Sequence, residues 1–253
     1  MRSLDGPVAR HHRRVDDFDP NELDRIGERL SRAWLEQRLL DPEFEADRAV
    51  LLAFRTSGQP ALGAASDALQ DAAEALGLEG FEVSERIKQR GTILHKLQRM
   101  RDLGRPLTLS EMIDVIGCRI VVAAPAEGSR VAERVQAHSP LEVLAAVDYS
   151  TRPKRTGYRA IHLRARSQGR LVEVQIRTRR QHEWALRSED LQLGVAAVLR
   201  DGRGPEVIQQ YLRALGDVLA EHDAGREPSA RLLRRLGRAE RELEEYHGPH
   251  GDD

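Results

Sequence analysis

Residues 171–178, LVEVQIRT, alternate without a break: Val172, Val174 and Ile176 fall on one side of an extended chain, and Glu173, Gln175 and Arg177 on the other. That period of two is the pattern of a half-buried strand. The polar face belongs to an unusual charge pattern. Between Thr151 and Arg180 there are ten Lys/Arg residues and one carboxylate, Glu173, in a chain whose formal net charge is -1. Such segregation focuses positive potential and attracts a polyanion. A lone acid beside a base-rich strand face suits a phosphate site that holds its own metal ligand or general base. The competing reading is a solvated edge strand that uses charge to avoid aggregation.

The type of base sharpens the argument. Of 40 Lys+Arg residues only Lys88, Lys96 and Lys154 are lysines. A compact ammonium is kept where a planar guanidinium does not fit, and all three fall in segments with other phosphate-binding features. With 253 residues, 40% hydrophobic and 32% charged, the chain suits one sizeable soluble domain with helical additions. No apolar run approaches the ~18 residues of a membrane span, and MRSLDGPVARHHRR has no apolar core of a secretory signal, so a cytoplasmic protein is expected. Cys118 is the only cysteine, which excludes an internal disulfide and a CxxC metal site. It reads as a small core residue.

Along the chain, Asp19-Pro20 opens a helix carrying Ile26, Leu30, Trp34 and Leu35. A second is expected from Asp41-Pro42 through Phe54 and a third from Ala64 to Leu76, with Gly58, Gly63 and the Gly77–Gly80 segment as breaks. Ser84 to Leu103 reads as one longer helix placing Lys88, Thr92 and Lys96 on a single face. Gly91 inside it suggests a close backbone approach. Thr108-Leu109-Ser110-Glu111 reads as a capping box opening a short helix. A strand IDVIGCRIVVAA follows, with Asp114 at its entrance, then a helix from Ser129 to Ala137 and a strand from Leu141 to Val147. A loop delivering Lys154 leads to a strand beginning at Tyr158, on which Tyr158, Ala160 and His162 point one way. Ser167-Gln168-Gly169-Arg170 turns it back into the Glu173 strand. Helices after Thr178, from Glu206 to Glu221 and from Ser229 to Tyr246 complete the chain, and the tail GPHGDD is expected to be disordered. His222-Asp223 has no companion ligands at metal spacing, and there is no P-loop.

RIKQRGTILHKL, IDVIGCRIVV, DYSTRPKRTGYRAIHL and VEVQIRT together resemble, in order and spacing, the synthetase domain of the RelA/SpoT family of alarmone synthetases. The size is similar to that of the small single-domain branch. The resemblance implies an α+β fold: a mixed β-sheet of about five strands flanked by helices, nucleotidyltransferase-like, with N- and C-terminal helical extensions. Its division would be a helical region over 1–80, the synthetase domain over 81–200, and C-terminal helices and tail over 201–253.

The implied reaction moves the β,γ-pyrophosphate of ATP to the 3′-hydroxyl of GDP or GTP. Arg86 and Arg119 would sandwich adenine, while Lys88, Thr92 (Ser in most of the family) and Lys96 would hold the triphosphate. Asp114 and Glu173 would bind Mg²⁺, and Glu173 would activate the 3′-hydroxyl. Lys154, Arg159 and His162 would serve the acceptor, Tyr158 would stack on its base, and Gln175 and Arg177 would complete the pocket floor. The Tyr158–Glu173 hairpin lacks an insertion common in alarmone makers, so two alternatives stay open. One is the toxic branch, which modifies the tRNA 3′ CCA end or makes adenosine alarmones and is neutralised by a protein antitoxin. The other is a degenerate nucleotide-binding module. A homo-oligomer is expected, and no membrane partner.

Overall fold

The computed structural model describes residues 18–193, 195 and 198–246; the N-terminal segment and the GPHGDD tail lie outside them. In order, the helices and strands are α1 (Pro20–Leu35), α2 (Glu45–Thr56), α3 (Gln59–Ala75), β1 (Glu82–Ile87), α4 (Arg90–Asp102), β2 (Ile116–Val122), α5 (Pro125–His138), β3 (Glu142–Asp148), β4 (Ile161–Ser167), β5 (Arg170–Thr178), α6 (Arg179–Gln192), α7 (Glu206–Asp223) and α8 (Ala230–Glu244). The strands form one sheet in the order β1-β2-β5-β4-β3, so the α+β fold with five strands is as expected. β5 lies between β2 and β4, which excludes the edge-strand reading, and its Val172, Val174 and Ile176 are buried as the alternation requires. At the β4–β5 turn Gln168 and Gly169 both take positive φ, 45° and 78°, the geometry of a tight two-residue hairpin. No described helix is long and apolar enough to cross a membrane.

Two compact units divide the chain. The first comprises Met1–Ala64, Arg86–Gly117 and Arg166–Val172. Its α1 starts at the Asp19 cap, whose carboxylate accepts from the Asn21 N–H, and buries Leu23, Ile26, Leu30 and Ala33. Each fully buried Leu or Ile contributes about 1.5–3 kcal/mol. Gly27 lets α1 approach closely, because a Cβ there would sit 3.0 Å from Leu109 Cβ and 3.2 Å from Leu97 Cδ1. Arg170, buried in this unit, lies 3.8 Å above the Phe54 ring and donates to Ser57 Oγ. Burial lowers its guanidinium to about 10.

Several expectations fail here. The helix expected from Ser84 to Leu103 is instead strand β1 followed by α4. Lys88 falls in the link, pinned as an extended residue by its N–H to Val115 O at 2.8 Å, so it shares no helix face with Thr92 and Lys96. Gly91 sits in the first turn of α4 with open space around a Cβ position, so no close approach explains it. Thr108–Glu111 is a turn and not a helix. Thr108 Oγ1 does donate to Glu111, but Ser110 gives both its N–H and its hydroxyl to Asp24, at 2.8 and 3.0 Å. α3 runs through Gly63 without a break, since it already begins at Gln59.

The second unit comprises Ala65–Glu85, Cys118–Ala165 and Glu173–Asp253. α5 begins at Pro125, earlier than expected, because Pro125 occupies its first turn and Glu127 accepts from the Ala123 and Ala124 N–H groups. Tyr158, Trp184, Leu199, Ile208 and Leu212 form the core between α6 and α7, and the Trp184 indole N–H donates to Leu212 O at 2.8 Å. The segment before β4 rests on α7 through two glycines. Gly157 has φ +89°, and a Cβ on Gly216 would meet Gly157 O at 2.8 Å. Thr178 ends β5 and caps α6: its hydroxyl accepts from the Gln181 N–H and donates to Asp223 Oδ2 at 2.7 Å, at the end of α7.

Candidate active site

In the first unit three of the expected residues converge. Asp114 lies in a short 3-10 turn (Ile113–Val115) just before β2 and receives Lys88 Nζ on Oδ2 at 2.6 Å and Lys96 Nζ on Oδ1 at 2.7 Å. Burial alone would raise the Asp114 carboxyl, but the two ammonium groups outweigh it and hold it below the usual carboxylate range. The lysines thus meet at one acid although they are not on one helix face. Each ammonium has three donors, one of which goes to Asp114. Arg86 on β1 and Thr92 in the first turn of α4 are exposed and stand outside this triad.

In the second unit the strand face of β5 carries a closed ring of hydrogen bonds. Gln175 Nε2 donates to Glu173 Oε2 at 2.7 Å, and Arg177 donates to Gln175 Oε1 at 2.7 Å and to the Tyr158 hydroxyl at 3.1 Å. The Tyr158 hydroxyl meets His162 Nε2 at 2.6 Å, and His162 Nδ1 meets Glu173 Oε1 at 3.1 Å. With Arg177 donating to it, the Tyr158 oxygen directs its own proton at Nε2, which leaves His162 Nδ1 to donate to Glu173. Burial pushes the Glu173 carboxyl up, but His162, Gln175 and the Arg200 charge prevail and hold it at about 2. Two buried nitrogens of this unit, Arg177 Nε and His182 Nδ1, have no partner among the described residues.

The remaining expected residues divide. Tyr158 is 0% exposed. Its ring is edge-on to Trp184, Tyr149 and His162. The expectation that Tyr158 stacks on an acceptor base is therefore corrected: both its faces are packed, and it serves the ring through its hydroxyl. Nor does Tyr158 begin the strand, since β4 starts at Ile161. Lys154 pairs with Asp201 at 3.1 Å and lies 5.3 Å from the Tyr149 ring centroid. Arg159 donates to the carbonyls of Gly157 and Gly216, tying the chain to α7. Arg119 donates to Ser84 Oγ at 3.0 Å.

Three residues near these groups escape a reading of the sequence. Tyr149, half-buried beside Lys154 and 5.6 Å from the His162 ring, had a signal in its basic surroundings. Arg200, with its guanidinium 5.5 Å from the Tyr158 ring centroid, had none. His182 is lowered by burial and by the charges of Arg119 and Arg177.

Residues 85–194 match the family described as the region found in RelA / SpoT proteins. The chloroplastic GTP diphosphokinase CRSH2 of Oryza sativa subsp. japonica is 28% identical over 160 residues, 56% of this chain; the chain spans only 27% of that protein's length. Small alarmone synthetase 1 of Bacillus subtilis, solved with its product pppGpp, superposes with a TM-score of 0.58 at 22% identity, over 70% of this chain and 94% of that one. For small alarmone synthetase 2 of Bacillus subtilis the TM-score is 0.52 at 22% identity, over 65% and 90% of the two chains. At such identity the structural likeness is one of fold. Residues 85–194 thus match the RelA/SpoT region, and the chain shares the fold of the small alarmone synthetases.

Proposed function

We propose that this domain is a pyrophosphokinase that moves the β,γ-pyrophosphate of ATP to the 3′-hydroxyl of GDP or GTP. The observation that carries the reading is the hydrogen-bonded ring that keeps Glu173 ionised and oriented on a basic strand face. The buried Arg177 and His182 nitrogens without protein partners support it, since such orphans mark places where a ligand completes the bonding. A relative named as a GTP diphosphokinase and solved relatives bound to pppGpp and to AMPCPP point to the same chemistry.

In this reaction the 3′-oxygen bonds to the β-phosphorus, the bridge between the α- and β-phosphates breaks, and AMP leaves. Lys88 and Lys96 hold the phosphate chain while keeping Asp114 ionised. Glu173 orients the 3′-hydroxyl and receives its proton, which then passes to solvent. A carboxylate held near 2 is a weak base. A loose phosphoryl-type transition state tolerates that, because the hydroxyl gives up its proton late, after it has become acidic.

No group of three or more metal-ligating side chains occurs among the described residues. Mg²⁺ commonly takes one or two carboxylates and completes its shell with phosphate oxygens and water. Asp114 in the first unit and Glu173 in the second, each held ionised, are the carboxylates suited to Mg²⁺. When bound, it supplies charge neutralisation on the transferring group.

The test incubates the protein with γ-labelled ATP and GDP, GTP or deacylated tRNA. Label on GDP or GTP, lost by about 10²-fold or more in Glu173→Gln, is the expected result. Label on tRNA alone would replace the nucleotide acceptor, and no transfer to any of them would defeat the reading.

A further inference from the structure

A cavity of about 470 Å³ opens in the second unit, walled by the loop at Pro153–Gly157, by α7 and by α8. Six cationic side chains line it: Lys154, Arg155 and Arg159 from the loop and its exit, Arg213 from α7, and Arg235 and Arg238 from α8. Two carboxylates share the lining, Asp217 and Glu242, and two more, Asp201 and Glu206, pair with Lys154 and Arg213 from beside it, leaving a formal surplus of two positive charges (6 − 4 = 2). The loop lies this close to α7 because Gly157 and Gly216 meet backbone to backbone. α7 and α8 lie outside the region matched to RelA/SpoT proteins, which ends at residue 194.

We propose that this groove binds a chain of two or more linked phosphates and reads no base. The lining contains no aromatic side chain on which a nucleobase could stack. The net positive charge suits a polyanion, and the volume of about 470 Å³ exceeds what one phosphate fills. Guanidinium groups present forks of donors suited to phosphate oxygens.

Most of the cations are held in place by ion pairs, including a longer one from Arg159 to Asp217 at 3.7 Å. Lys154 pairs with Asp201, Arg213 with Glu206, Arg235 with Asp217 and Arg238 with Glu242. These pairs are largely exposed, and such pairs stabilise by about 0–1 kcal/mol, so a multiply charged ligand displaces them readily. Arg155 is exposed and has no carboxylate partner among the described residues. Lys154 and Arg159 also figure in the proposed acceptor site, but the α7–α8 wall is independent of it and does not require the transfer reaction.

Isothermal titration of the full chain with inorganic tripolyphosphate tests this without any turnover. At about 50 mM salt, where phosphate contacts are weakly screened, the wild type and Glu173→Gln are expected to bind alike. Arg235→Gln/Arg238→Gln is expected to bind about tenfold or more weakly, and Arg155→Gln, in an exposed loop that tolerates the change, about threefold more weakly. Competition by GTP would identify a nucleotide's phosphate tail as the source, and its absence an inorganic chain; either supports the groove. No binding of tripolyphosphate, or binding undiminished in both variants, overturns it. So does a single-stranded oligonucleotide that binds through these arginines when tripolyphosphate does not, which would make the groove one for a phosphodiester backbone.

Discussion

Tyr158 and His162 are joined by a hydrogen bond of 2.6 Å from the buried phenol to Nε2, and this bond decides which face of the histidine is left for Glu173. Replacing Tyr158 with Phe removes one hydroxyl from two partners at once, His162 Nε2 and Arg177. Each buried group left without a partner costs about 1–3 kcal/mol. Urea unfolding of Tyr158→Phe should show a lowered midpoint, and its transfer rate should fall although no substrate contact is lost. An unchanged midpoint would mean that the ring contributes nothing to the fold.

Asp114 depends on both of its lysines. Lys88→Met or Lys96→Met should each leave one carboxylate oxygen without its ammonium, raise the Asp114 pKa and weaken ATP binding by about tenfold or more. Arginine should not rescue, because a planar fork does not fit where a compact ammonium sits 2.6 Å from Oδ2. Binding of a non-hydrolysable ATP analogue measures this directly, and full affinity in Lys88→Arg would refute it.

Glu173 predicts a pH dependence with a definite sign. Its folded pKa, about 2, lies below its ordinary value of 4.5. The stabilisation is therefore complete above about 4.5 and is lost as pH falls through the folded value. Unfolding free energies measured from neutral pH to pH 2 should fall less steeply in Glu173→Gln than in the wild type. Parallel slopes would show that the carboxylate is not held down in the fold.

Gly157 and Gly216 make a contact with no room for a methyl group. Gly216→Ala sets a Cβ 2.8 Å from the Gly157 carbonyl oxygen, against backbone that cannot swing aside, and should destabilise by about 1–3 kcal/mol. Gly157→Ala should do worse, since it adds a left-handed backbone at φ +89° to a clash with Leu212 O at 3.0 Å. Thermal unfolding of the two variants gives the order.

The sequence made β5 legible because a strand paired on both sides buries one whole face, leaving an unbroken alternation. β1 was misread for the converse reason. It is an edge strand with most residues exposed, so EVSERI shows no contrast between faces and its charged residues pass equally well for a helix. The three lysines each take a defined place. Lys88 and Lys96 meet at Asp114, and Lys154 lies beside Tyr149 and Tyr158. The burial of Tyr158 was invisible, because Trp184, which packs against its ring, arrives from 26 positions along the chain. Arg200 comes from a stretch with no motif, and only folding carries its charge toward Glu173.

The Thr178 hydroxyl commits its single proton and accepts another. Thr178 ends the strand that carries Glu173, starts α6, and fastens the last residue of α7 through Asp223. Three elements thus share a single rivet, one that works only if it both gives and receives a hydrogen bond. The strand end, the helix start and the helix end cannot shift independently. Serine can take over that fastening; valine, of nearly the same shape, would release all three.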